Sequence, residues 1–222
     1  MNSVDFGQDV FIKKATKDDC EDLFNFLMID FCKREPLTDA LDGTPEDMAE
    51  IFKDMVKASL GEPCFTYIVR SKKTNEIVAT RMMTVLERPS NNNEDNDKPA
   101  PYKSWKANII LKLLMQMEHK AWEILPTTQK IAAGIMISVH QNYARRGIAQ
   151  KLVEYNLDEI KEAGCEGLMR EATAKNSQKL FAKLGYQNLY EVLHTDYKDN
   201  GKQVFKCRDG TDRAILVYKP LN

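Results

Sequence analysis

The residues at 131–139, IAAGIMISV, form an unbroken apolar run without a charged side chain. The run is far too short to span a bilayer, and a strand with one wet face would alternate polar and apolar side chains. It therefore predicts a central strand buried on both faces, in a sheet covered by helices above and below. Through HQNYARR the run passes into Gly147 and an amphipathic stretch at 147–163. There Ala149, Val153, Leu157 and Ile160 share one face, Gln150, Glu154, Asp158 and Lys161 lie elsewhere, and Gly164 supplies the stop.

The remaining elements follow from local signals. A first strand is predicted at 9–14 (DVFIKK), then a helix capped by Thr16 that carries Leu23, Phe24, Phe26, Leu27 and Phe31 and stops near Arg34, ahead of Glu35-Pro36. Thr44-Pro45-Glu46 opens a second helix, to about Leu60. Runs at 65–70 and 77–87, joined by SKKTNE, predict a hairpin. Residues 89–101 (PSNNNEDNDKPAP) are nearly devoid of apolar side chains and predict a mobile loop within one domain spanning 1–222. From Trp105, Ile109, Ile110, Leu113, Leu114, Met117 and Ala121 recur at helical spacing. A strand at 168–172, a helix at 177–184 and strands near 190–194 and 214–219 complete the order, an α/β chain with a mixed sheet and helices on both faces.

The 32 basic and 33 acidic residues balance, so no global field attracts nucleic acid or an anionic membrane, and any anion site must be local. The five cysteines form an odd set with no CxxC pair and no metal-like grouping with the three histidines, which predicts reduced thiols, no metal and a cytoplasmic protein. MNSVDFGQDVF has neither a basic segment nor a long apolar run, and no membrane association is expected.

Arg145 and Arg146 stand where a helix begins, against the positive pole of its macrodipole, at a cost of a few tenths to about 1 kcal/mol each. A bound phosphate would reverse that sign. Gly147 has no side chain to block an anion from the first-turn N–H groups. GxxxxGK[ST] is missing, and a dinucleotide fingerprint would need glycines where Gln150 and Lys151 stand. Taken alone, the pair is also compatible with solvated loop charges.

In context, SVHQNYARRGIAQKLVE resembles the acetyl-CoA-binding motif of the GNAT acetyltransferase superfamily, [QR]xxGx[GA]. Gly147 and Ala149 match its small positions, and Ala144 replaces the usual glutamine or arginine. CKREPL (32–37), LFAKLGY (180–186) and DYKDNGKQVFK (196–206) together resemble the insect-type, non-vertebrate arylalkylamine N-acetyltransferases. The resemblance implies a sheet of about seven mostly antiparallel strands, with a splayed parallel pair holding acetyl-CoA. It places Ile137, Ser138, Val139, Ala144, Arg145, Arg146, Gly147, Ile148, Ala149, Ser177 and Lys179 against that donor, with backbone N–H groups around 137–139 stabilising the oxyanion.

It also implies the chemistry. A protonated alkylamine, with a pKa near 10, must lose a proton before it attacks a thioester. Glu35 matches the glutamate that serves the family as general base. Phe181 replaces the tyrosine that many superfamily members use to protonate the leaving thiolate. Thr173 and Ser177 align with two serines of supporting catalytic role, although from the residues alone they also suit a strand end and a helix cap. His140 suits a surface or hydrogen-bonding role, and nothing near Cys165 in the sequence would lower its pKa. The expected function is acetyl transfer from acetyl-CoA to a small primary amine such as dopamine, tyramine, serotonin or tryptamine, by a monomer or weak dimer. The alternatives are an acyl-CoA-binding protein of weak catalysis and an acetyltransferase for polyamines or protein lysines.

Overall fold

The structure, a computed structural model, describes residues 6–89 and 102–221. The loop expected at 89–101 lies outside the described residues from position 90 onward. Strand β1 (Val10–Lys14) precedes helices α1 (Cys20–Phe26), α2 (Pro36–Ala40) and α3 (Pro45–Ser59). The hairpin β2 (Tyr67–Ser71) and β3 (Ile77–Glu87) follows, then α4 (Trp105–Ile124) and β4 (Lys130–Val139). Beyond these come α5 (Ile148–Glu154), α6 (Leu157–Glu162), β5 (Gly167–Ala172), α7 (Lys175–Lys183) and β6 (Gln187–Leu193). A small ribbon, β7 (Lys198–Asp199) and β8 (Lys202–Gln203), leads to β9 (Arg213–Pro220).

Seven strands form one sheet in the order β1-β2-β3-β4-β5-β9-β6, with the 131–139 run at its centre. Leu23, Leu27, Leu37, Met48 and Ile51 of the first helices, with Leu113 and Met117 of α4, cover one face over Met82, Met169 and Leu216. Val153, Ile160 and Phe181 cover the other over Met83, Leu168 and Val217, extended by Ile148 and Leu152 over Val69 and Ala79.

Two local departures from the sequence expectation have identifiable causes. The helix expected to run unbroken over 147–163 breaks at Tyr155 and at Asn156, whose φ is 48°. Arg81, only 1% exposed, donates from Nη1 to the carbonyls of Leu152 (2.9 Å) and Tyr155 (2.6 Å). Asn156 Nδ2 donates to the Tyr67 hydroxyl at 2.7 Å. A buried guanidinium needs acceptors, and opening the helix supplies one. The second departure is α2, where a stop had been expected. Helix α1 continues through a π-helical turn, Leu27–Phe31, and after Arg34 the Glu35-Pro36 pair starts a new helix, with Glu35 extended (ψ 121°) as its N-cap and Pro36 in the first turn.

All neighbouring strands are antiparallel except β4 and β5, whose parallel pairing ends at Gly134 and Arg170. Beyond that point β4 stays paired to β3 as far as Val139, and β5 to β9 as far as Ala172, so the two strands part. A bulge on β4 sits at the fork, since Met82 faces Met136 and Met83 faces Gly134, leaving Ile135 unopposed. The Arg170 side chain lies across Gly134 where any Cβ would overlap it. Gly134→Ala should therefore destabilise the fold by about 1–3 kcal/mol through overpacking. Urea denaturation measures this, and an unchanged midpoint would show that Arg170 yields without cost.

Candidate active site

The fork opens into a cleft of about 500 Å³ lined from both sides of the sheet. At one end stands Glu35, 8% exposed. Its Oε2 accepts bonds from Thr38 N (2.6 Å) and Thr38 Oγ1 (2.8 Å), and its Oε1 accepts one from Thr173 Oγ1 (3.0 Å). The Thr38 bonds follow from the N-cap position, whereas Thr173 arrives from the end of β5, far along the chain. Burial pushes the Glu35 carboxyl above its ordinary range, and the bonds from Thr38 and Thr173 hold it part of the way back. Phe31 and Pro36 supply apolar walls.

Arg34, beside Glu35, is ion-paired with Asp30 and donates from Nη2 to Val139 O at 2.9 Å. That bond orients the free edge of β4. His140 N donates to Val78 O at 2.8 Å, so the intervening Ile137 and Val139 are in non-hydrogen-bonded pairs with β3 and their N–H groups face the fork. His140 Nδ1 accepts from Asn142 N at 3.2 Å and its Nε2 lies 3.9 Å from Asp30 Oδ1, so it serves the turn after β4.

The other end of the cleft is the loop before α5. Arg145 (φ 62°) and Gly147 (φ 76°) are left-handed, and no atom lies within 4 Å of where a Gly147 Cβ would sit. Such curved backbone presents successive N–H groups to an anion. Of the residues expected against the donor, Ile137, Ser138, Val139, Ala144, Arg145, Gly147, Ile148, Ala149 and Ser177 line the cleft, while Arg146 and Lys179 do not. Arg146 folds back onto the Asp9 carboxylate (Nη1 to Oδ2, 3.0 Å) and over the Tyr143 ring. Lys179 is exposed on α7. Ser177 Oγ donates to Ala174 O at 2.8 Å, which commits its proton to the first turn of α7. Phe181, 2% exposed, lines the cleft without a hydroxyl. Cys165 is buried, which raises its thiol pKa.

Three charged cleft residues escaped the sequence reading: Arg34, Arg170 and Glu171. Arg170 is buried with its guanidinium bonded to Met169 O (2.9 Å) and near Met83 Sδ (3.4 Å). Their only sequence signal is adjacency: Arg34 to Glu35, and both β5 residues to Thr173. Among the described residues no group of three or more His, Cys, Asp or Glu side chains is arranged to hold a metal, and no helix is long and apolar enough to cross a membrane.

A family model described as Acetyltransferase (GNAT) family matches residues 30–186, well over half of the chain. The chain belongs to that family, and so to the N-acetyltransferases. Among solved structures it is similar to arylalkylamine N-acetyltransferase 2 from Aedes aegypti (21% identity, 96% of this chain and 99% of that one, TM-score 0.80). It is similar also to mosquito arylalkylamine N-acetyltransferase like 5b (18%, 96% and 100%, 0.82). A third is Drosophila melanogaster polyamine N-acetyltransferase, described as forming N-acetylagmatine (19%, 96% and 100%, 0.78). At these identities the likeness establishes the shared fold.

Burial of Glu35 has a pH signature. With its folded pKa raised above the ordinary 4.5, the folded state holds the proton more tightly than the unfolded chain. The stability this contributes is full below that ordinary value and is lost as pH rises through the folded value. As pH rises from the ordinary glutamate value upward, the unfolding free energy of Glu35→Gln should therefore rise relative to wild type. Denaturant titrations across that range test this, and parallel curves would contradict it.

Proposed function

We propose that the protein transfers an acetyl group from acetyl-CoA to the primary amine of a small substrate, with Glu35 as general base. The observation that carries the reading is the Glu35 carboxylate, buried in the cleft that opens where the parallel strands part, and bonded by Thr173 at 3.0 Å. The mosquito and Drosophila neighbours, named as amine N-acetyltransferases, support it.

The cleft fits the donor on three counts: open backbone at Gly147, left-handed Arg145 beside it, and a fork with unpaired N–H groups. The loop at Arg145 and Gly147 would hold the pyrophosphate, and Ile137 and Val139 would give N–H bonds to the pantetheine arm and to the carbonyl oxygen as it gains charge. Acetyl-CoA supplies an activated acyl group on sulfur.

Glu35, with its pKa raised toward the working pH, takes the proton of the entering ammonium, directly or through water. Thr38 keeps the carboxylate oriented from below. Once Glu35 holds the proton taken from the amine, it can donate to Thr173 Oγ1 while Thr173 releases its own proton into the cleft, whereas the Ser177 hydroxyl is bonded to Ala174 O, which has no proton to give. The missing hydroxyl at Phe181 favours, as a second reading, an acyl-CoA-binding protein of weak catalysis.

A panel of amines with acetyl-CoA, read by release of free thiol, separates the two, and silence on every amine with tight CoA binding would support the second. Glu35→Gln should lower kcat by about 100-fold or more while CoA affinity holds; equal turnover would remove Glu35 from the role of base. Arg145→Ala should raise the CoA Kd about five-fold and reduce its salt dependence, with a smaller effect for Arg146→Ala, which is neutralised by Asp9. Calorimetry at two salt concentrations measures this, and equal effects would mean that Arg146 leaves Asp9 for the ligand.

A further inference from the structure

Strand β5 brings a second carboxylate into the cleft. Glu171 lies in β5, two residues before Thr173, which directly follows the strand, and alternate residues of an extended segment share a face. Since Thr173 reaches Glu35, Glu171 points to the same side of the sheet, about 7 Å further along at two residues of strand rise. Both line the one cleft. Arg170, the residue before Glu171, points the other way, across Gly134 and toward Met83, so it makes no ion pair with Glu171.

We propose that Glu171 is a specificity-determining residue on the acceptor side: it receives a second cationic group, ammonium or guanidinium, at the far end of the amine, so that short diamines and guanidino-amines are preferred. This rests on the acetyltransferase reading of the cleft.

Three observations support it. Among the described residues no side chain hydrogen-bonds or ion-pairs with the Glu171 carboxyl, and only its own backbone amide and the charge of Arg170 favour its ionised form. Carboxylates enclosed by protein ordinarily have partners, and one left without a side-chain partner in a ligand cleft is arranged for a ligand. Next, burial, with further negative charge from Glu118 on α4, pushes the Glu171 carboxyl up to about 8. A cation seated there relieves the repulsion and restores the charged form, whereas an aromatic tail leaves both effects in place. Finally, Glu171 lies along the strand from Glu35, so an amine with its reacting nitrogen at Glu35 extends its other end toward Glu171.

The test compares 1,5-diaminopentane, 1-aminopentane and 2-phenylethylamine as acceptors with wild type, Glu171→Gln and Glu171→Asp. Thiol release gives kcat and KM, calorimetry of each amine on the CoA complex gives affinity without turnover, and thermal unfolding checks that the variants are folded. Wild type should prefer the diamine over 1-aminopentane. Glu171→Gln should cut the preference for diamine over phenylethylamine about ten-fold, through KM and Kd, and Glu171→Asp should retain part of it. A preference unchanged in Glu171→Gln, or a wild type that binds diamine no better than 1-aminopentane, overturns the assignment even if phenylethylamine is acetylated. Diamine binding that depends on Glu171 without turnover of any amine would sustain it while removing the acetyltransferase reading.

Discussion

Strands β4 and β5 run side by side for four residue pairs and then separate, each remaining bonded to its outer neighbour. Past Gly134 and Arg170 every second backbone group on the inner edges loses its ladder partner. An unsatisfied buried N–H or carbonyl costs about 1–3 kcal/mol, so a fork of this kind persists only where something offsets it. Part of the compensation is visible: Arg34 takes the carbonyl of Val139. The bulge at Ile135 and the Arg170 side chain laid over Gly134 keep the strands from closing again. The cleft, the exposed N–H groups and the approach of Thr173 to Glu35 all follow from this separation.

On the helical side, the arrangement depends on how the chain enters α2. The π-helical turn at Leu27–Phe31 and the proline after Glu35 make this glutamate an N-cap rather than a solvated loop residue. An N-cap carboxylate is held by backbone N–H bonds and by the positive end of the helix, both of which favour ionisation. Burial outweighs them at Glu35. The balance fits the proposed role of base: the carboxyl takes up a proton more readily than a free glutamate and stays fixed in direction.

Much of this was legible along the chain. The 131–139 run implied a central strand, and helical spacing placed α3 and α4. What escaped notice depended on partners remote in sequence. The break between α5 and α6 is caused by Arg81, whose position on β3 gives no local hint of the carbonyls it needs. Arg146 read as a cation for an anionic ligand because Asp9, which neutralises it, lies near the opposite end of the chain. Helix α2 is five residues long, below the reach of any periodicity, and Pro36 signals a stop and a start equally well. Glu171 looked like an ordinary strand residue, although its spacing from Thr173 already placed both on one face.

The cleft is electrically asymmetric in a chain whose formal net charge is only −1. Arg145 stands at the loop before α5, whereas Glu35 and Glu171 stand on the face covered by the first helices and α4. Low-dielectric walls focus such a field within the cleft instead of dissipating it over the surface. In the proposed reaction Arg145 suits a phosphate-bearing donor at one end, and at the other end a cationic amine would bring Glu35 and Glu171 into their charged forms. The Asp30 partner of Arg34 fits this division, since it prevents a cation at the acceptor end from repelling an incoming ammonium. The fork therefore provides a passage between a cationic end and an end lined by carboxyl groups, and the sheet fixes their separation more firmly than any loop could.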